Sequence, residues 1–208
     1  RPEESLGQVL KLAMGNSSYR YLVAGFFVCG FHVMFIATHL PAYLTDAGFS
    51  GRTAAMALML IGLFNVFGSY ACGALGGMYS KKYLLSLLYL VRSIAILAFI
   101  VFPLTPVTIA LFASTIGFLW LGTVPLTSAL VAQMFGMRYL GTLFGIVFLS
   151  HQVGSFLGIW LGGFLFDATG DYTVVWWVAV ALGLVAALLH WPIDEREVAP
   201  AAAPGGAG

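Results

Sequence analysis

The residues able to do chemistry in this sequence are few, and histidines lead them. His32 and His39 lie seven apart, two helical turns, and so share a face. His151 belongs to a polar group, Ser150, His151, Gln152 and Ser155, set in apolar sequence. Asn65 and Arg92 each stand alone in the middle of a long apolar run. Histidine titrates near neutral pH and so can carry a proton. Arginine in such a setting is an anion site, half of a gating ion pair, or a structural charge bonded to carbonyls. Asn65 reads equally as a ligand donor and as interhelical glue. A metal pair at His32 and His39 lacks the carboxylate or thiolate at i±3 or i±4 that would complete a shell. No metal or cofactor is implied. There is no His-Glu-x-x-His, no P-loop and no dinucleotide fingerprint, and His190 lies at the end of an apolar run. These residues bind or carry rather than catalyse, so no enzyme is expected.

The elements that position them must sit in a bilayer. Of 208 residues, 61% are hydrophobic and 8% charged, with a mean hydropathy of +0.97. A soluble chain carries about 25% charge, so this one cannot cover itself in water. The same figures exclude a disordered chain, a coiled coil and a nucleic-acid binder, and a net charge of +1 directs no field at an acidic partner. Cys29 and Cys72 lie in apolar runs and make no disulfide framework.

Six runs reach the roughly 20 apolar residues that a spanning helix needs: 21–44, 54–78, 83–102, 107–132, 140–166 and 173–191. Arg92 is the one charged residue in them. Continuous apolar runs exclude a β-barrel, whose strands alternate. The fold class is therefore an all-α membrane protein of six transmembrane helices. Residues 1–20 read as a cytoplasmic lead-in without a signal peptide, resembling the inside of a longer frame or a processed end. Residues 193–208 read as a disordered cytoplasmic tail. Arg1, Lys11, Arg20, Lys81, Lys82, Arg138 and Arg196 lie on the side of the termini and only Arg52 opposite, which puts both termini in the cytoplasm. Tyr19, Tyr21, Tyr79, Tyr83, Tyr139 and Trp191 are expected at the inner interface, and Tyr43, Tyr172 and Trp176 at the outer.

Two features hint at internal order. Leu75-Gly-Gly77 returns as Leu161-Gly-Gly163, an offset of 86 that also carries Asn65 onto His151. Such an echo suits the three-plus-three inverted repeat of many secondary transporters. In the fourth run, Thr123-Val124-Pro125 with Thr127 and Ser128 predicts a helix break, since proline frees a carbonyl. Along the fifth run, Gly141-x3-Gly145 and Gly154-x3-Gly158-x3-Gly162 make small-residue ladders for close packing. Trp120 and Trp160 lie deep, as core packing or a stacking wall.

The loop after the second run, Gly73-Ala-Leu-Gly-Gly-Met-Tyr-Ser-Lys-Lys82, resembles the second-half copy of the cytoplasmic gate motif of the major facilitator superfamily. Gly77 stands where that motif usually has its acidic residue. The passage from Pro125 through Met134-Phe-Gly-Met-Arg-Tyr-Leu-Gly-Thr-Leu-Phe-Gly145 is similar to the bacterial monocarboxylate-transporter-like and oxalate/formate-antiporter-like branch, as is Ser80-Lys-Lys-Tyr-Leu-Leu. The resemblance covers about residues 15–195. It implies that the six spans are helices seven to twelve of a twelve-helix transporter in a bacterial inner membrane. The partner is then an N-terminal six-helix half, or a second copy forming a homodimer. It implies a gate at Gly73, Gly77, Lys81 and Lys82, and a central cavity reached by His32, Asn65, His151 and Gln152. Arg92 then falls on a peripheral helix. The expected function is secondary active transport of a small organic solute, an organic anion, with His32 and His151 as proton-coupling candidates. A non-transporting six-helix scaffold is the rival expectation.

Overall fold

The computed structural model describes residues 5–198, and within them every regular element is a helix. α1 (Leu6–Gly15) precedes α2 (Ser17–Asp46), α3 (Gly51–Met78), α4 (Lys81–Val101), α5 (Pro106–Phe118), α6 (Thr123–Phe135), α7 (Leu140–Thr169) and α8 (Thr173–His190). Six spans are long and apolar enough to cross a membrane, α5 and α6 forming one of them together. The protein is an all-α membrane protein of six spanning helices. α1 sits in the expected lead-in, started by a capping box in which Ser5 and Gln8 satisfy each other's backbone N–H.

In lipid no water is gained by hiding apolar surface, so helices associate through close van der Waals packing and hydrogen bonds. The packing follows a simple rule. α2 runs along α7 as α3 runs along α5 and α6; α2 meets α8 as α4 meets α5 and α6; α2 meets α3 as α6 meets α7; α7 meets α8 as α3 meets α4. Exchanging spans one to three with spans four to six therefore leaves every substantial contact in place. Three spans is an odd number, so the second triplet runs opposite to the first, which makes the repeat inverted.

The register of that repeat is the 86-residue offset. Gly68, Cys72 and Gly76 of α3 press on Phe118, Gly122 and Leu126 of the fourth span. Gly154, Gly158 and Gly162 of α7, 86 residues on, press on Phe27, Phe31 and His39 of α2. At Gly68 and Gly154 the opposing group is the carbonyl oxygen of a phenylalanine, and the two phenylalanines are 91 apart. Gly141 and Gly145, the first ladder, face open space instead.

Burial follows the same symmetry. The most apolar stretch of α2 is 61% buried, while those of α3 and α7 are only 22% and 28% buried. α2 is thus the central helix, and α3 and α7 present the free faces. Tyr19, Tyr172 and Trp176, expected at the interfaces, are core residues. Tyr19 is fully buried and its hydroxyl donates to the Leu143 carbonyl at 2.8 Å. Trp176 packs edge-on to Phe35 with ring centres 4.7 Å apart. An aromatic near a helix end is equally able to fill the gap where two helices splay.

Residues 193–198, expected as free tail, instead cross the end of the bundle. Ile193 is fully buried. The Asp194 N–H donates to Ser18 Oγ at 2.9 Å and the Val198 N–H to the Met134 carbonyl at 2.8 Å. The Glu195 carboxylate accepts the Lys82 N–H in the first turn of α4, whose N-cap Ser80 makes no side-chain cap of its own. The contact with α2 places the strap on the side where the chain enters the bundle. Residues 1–4 of the lead-in and 199–208 of the tail lie outside the described residues. Glu195→Ala is expected to cost about 1 kcal/mol of stability, the usual loss of a helix N-cap, measured by thermal unfolding in detergent. Arg196 pairs with Asp194 at 2.6 Å and its hydrogen bonds hold that carboxyl down at about pH 2. Whatever the pair contributes is complete above the ordinary carboxylate range and is lost only as pH falls through about 2.

Candidate functional site

The fourth span breaks at mid-depth. α5 and α6 each have 13 residues, about 20 Å, so residues 119–122 between them lie near the bilayer centre. The break comes before the expected Thr123-Val124-Pro125. Pro125 is the third residue of α6, in the first turn, where a missing N–H costs little. Gly117 and Gly122, which lie against Ile61 and Cys72, let the broken segment approach α3.

Non-helical backbone at this depth must find partners within the protein, and two sequence-singled residues supply them. Arg92 Nη2 donates to the carbonyls of Leu119 and of Trp120, the latter at 2.9 Å. Asn65 Oδ1 accepts the Leu121 N–H at 3.1 Å and is steadied by the Ser69 hydroxyl at 3.1 Å. Arg92, 1% exposed, therefore faces a backbone rather than a cavity. Its charge rests against the carbonyl end of α5, the negative end of the helix dipole. The Tyr89 ring lies 5.3 Å from the guanidinium carbon.

Cys29 joins this group from α2. Its thiol lies 3.1 Å from Thr123 Oγ1, at the start of α6, and 3.8 Å from Arg92 Nη1. The His151 ring is within electrostatic range of the same thiol. Neither Cys29 nor Tyr89 stood out in the sequence, because a continuous apolar run does not reveal which way a side chain is turned.

His151 is buried, with Nδ1 3.3 Å from Gln152 Oε1 and 3.4 Å from Ser155 Oγ. Its ring stacks on Phe148 at 5.2 Å and lies 5.1 Å from Phe26. Nε2 is buried without a hydrogen-bond partner. Gln152 is exposed on the free face of α7, in line with Phe156, Trp160 and Phe164 at steps of four.

His32 does not join them. It is fully buried on the opposite flank of α2, where Nε2–H donates to the Ala179 carbonyl of α8 at 2.7 Å. Its Nδ1 has no partner. His39 donates to the Ile159 carbonyl at 2.9 Å and packs among Phe35 and Tyr172. The structure thus brings together Asn65 and Arg92 at the break, places His151 beside Gln152, and keeps His32 apart. Among the described residues no three metal-ligating side chains converge.

No family model matches the sequence, and no curated protein matches it. The string Gly48-Phe49-Ser50-Gly51 has the letters of a membrane serine-protease motif, but it forms the turn into α3, where Ser50 Oγ caps the helix at the Thr53 N–H, 3.2 Å away. In the expected gate, Gly73 and Gly77 are exposed and open, while Lys81 donates to Gln133 of α6 at 2.8 Å and so ties the two triplets together. What the arrangement offers chemically is a helix break held by one cation and one amide, and on α7 an exposed amide backed by a buried imidazole.

Proposed function

We propose that the chain is a six-span half of a secondary active transporter of the major facilitator type, moving a small organic anion by alternating access. The observation that carries this reading is the inverted three-plus-three packing together with a fourth span broken at mid-depth, the construction that secondary transporters use to place a site at mid-membrane. The basic residues on the side of the end segments put that side in the cytoplasm, in a bacterial inner membrane. The other half is an N-terminal six-helix unit or a second copy of this chain.

The substrate site lies on the free face of α7. His151 Nδ1–H donates to Gln152 Oε1 and so leaves the two amide N–H groups of Gln152 to receive a carboxylate. Phe156 and Trp160 wall the apolar body of the solute. His32, with one ring nitrogen unpartnered, and His151, whose ring lies beside the Cys29 thiol, are the candidates to carry a coupling proton.

Uptake of labelled carboxylates by cells producing the protein tests this. His151→Ala, which leaves the Gln152 amide unoriented, is expected to reduce uptake by up to about tenfold, the worth of one neutral hydrogen bond, and His32→Ala to flatten its pH dependence. If both variants fold and transport as the wild type does at every pH, the site assignment is wrong. The rival reading, a scaffold that does not transport, draws on the fact that Asn65, Arg92, His32 and His39 all bond to backbone of this same chain. It predicts no saturable uptake of any carboxylate.

A further inference from the structure

A second recess lies away from the α7 face just described. Met14 of α1, Arg20, Val23, Ala24 and Phe27 of α2, and Ser150 of α7 line a cleft of about 380 Å³. Arg20, Ala24 and Phe27 follow one another at i, i+4 and i+7 and so share a face of α2. Arg20 is in the first turn of that helix, and Phe27 lies about 10 Å further along it. The cleft therefore runs from the membrane surface into the hydrocarbon.

Its chemistry is divided along that length. Arg20 is exposed and, among the described residues, forms no ion pair. Lys11, three residues before Met14, adds a second exposed cation on α1. Below Arg20 the walls are apolar. Ser150 is the one polar side chain there, and its hydroxyl is already committed to the carbonyls of Val23 at 2.8 Å and Val147 at 2.7 Å. A small polar anion would find one charge at the mouth and no donor further in. An amphiphile with an anionic head and a hydrocarbon tail matches both parts.

We propose that this cleft is a binding site for one anionic phospholipid, its phosphate on Arg20 and the first part of an acyl chain along Ala24 and Phe27. Basic side chains at the membrane surface attract anionic lipid heads, and an unpaired arginine adds hydrogen bonds to the phosphate. Met14 brings the end of α1 to the edge of this site.

The test reconstitutes the 208-residue chain in phosphatidylcholine vesicles containing phosphatidylglycerol and identifies the lipid retained on extraction by native mass spectrometry. The wild type is expected to keep one phosphatidylglycerol. Arg20→Gln is expected to lower that occupancy roughly fivefold, as loss of one surface charge does. Ala24→Phe, which fills the cleft and keeps the charge, is expected to abolish it. Both positions are exposed, and unchanged thermal unfolding shows that the variants have folded. Equal retention of phosphatidylcholine and phosphatidylglycerol by the wild type overturns the proposal. So does unchanged phosphatidylglycerol retention in either variant.

Discussion

Arg92→Met is expected to lower the unfolding free energy of the detergent-solubilised protein by roughly 2–4 kcal/mol. The side chain fits the same space, but the carbonyls of Leu119 and Trp120 lose their donor at mid-membrane. Each buried carbonyl left without a partner costs about 1–3 kcal/mol, partly offset because a charge no longer has to be held out of water. Arg92→Lys keeps the charge but presents a single ammonium in place of a planar fork, so its loss should be smaller. Asn65→Ala acts on the same break through the Leu121 N–H. The double variant should therefore lose less than the sum of the singles, with a coupling of about 1 kcal/mol. A denaturant-unfolding cycle measures all four proteins. An Arg92→Met protein as stable as wild type would mean that the break holds itself, and the assignment of Arg92 to it would fall.

Gly154→Ala and Gly68→Ala should be as damaging, and equally so. In each case the added methyl meets a carbonyl oxygen of the facing helix, Phe27 or Phe118, which cannot rotate away as a side chain could. The two helices must move apart there, and overpacking of that kind costs about 1–3 kcal/mol. Gly145→Ala is the control, since nothing lies near its position. It should be neutral or stabilising by up to about 1 kcal/mol through helix propensity. Thermal unfolding in detergent orders the three. If Gly68→Ala and Gly154→Ala differ by several kcal/mol, the 86-residue equivalence of α3 and α7 does not extend to energetics.

The offset was legible in the Leu75-Gly-Gly77 and Leu161-Gly-Gly163 echo, but glycine spacing alone did not mark close packing, since Gly141 and Gly145 face open space. The ladder Gly154-x3-Gly158-x3-Gly162 does lie against a neighbouring helix at each step. The spans were legible because hydrocarbon thickness sets a length that no soluble element imitates. Helix rotation was not. A helix that is apolar all round has no stripe to mark its inner face, so the sequence could not show that His32 turns to α8 while His151 turns to Phe26 of α2. Proline misplaced the break for a related reason: Pro125 marks where α6 can begin, and the glycines and the Arg92 and Asn65 partners decide where α5 ends. The strap at 193–198 was missed because four charged residues separate Ile193 from Val198, and the burial of Ile193 depends on a gap among helix ends that only the assembled bundle creates.

The strap also bears on biogenesis. It follows the last span, yet its partners, Ser18, Lys82 and Met134, lie on α2, α4 and α6. Until these helices have found each other, the first turn of α4 lacks its carboxylate and the end of α6 keeps a free carbonyl. Residues 193–198 thus make the sealing of that end of the bundle conditional on α2, α4 and α6 having already come together.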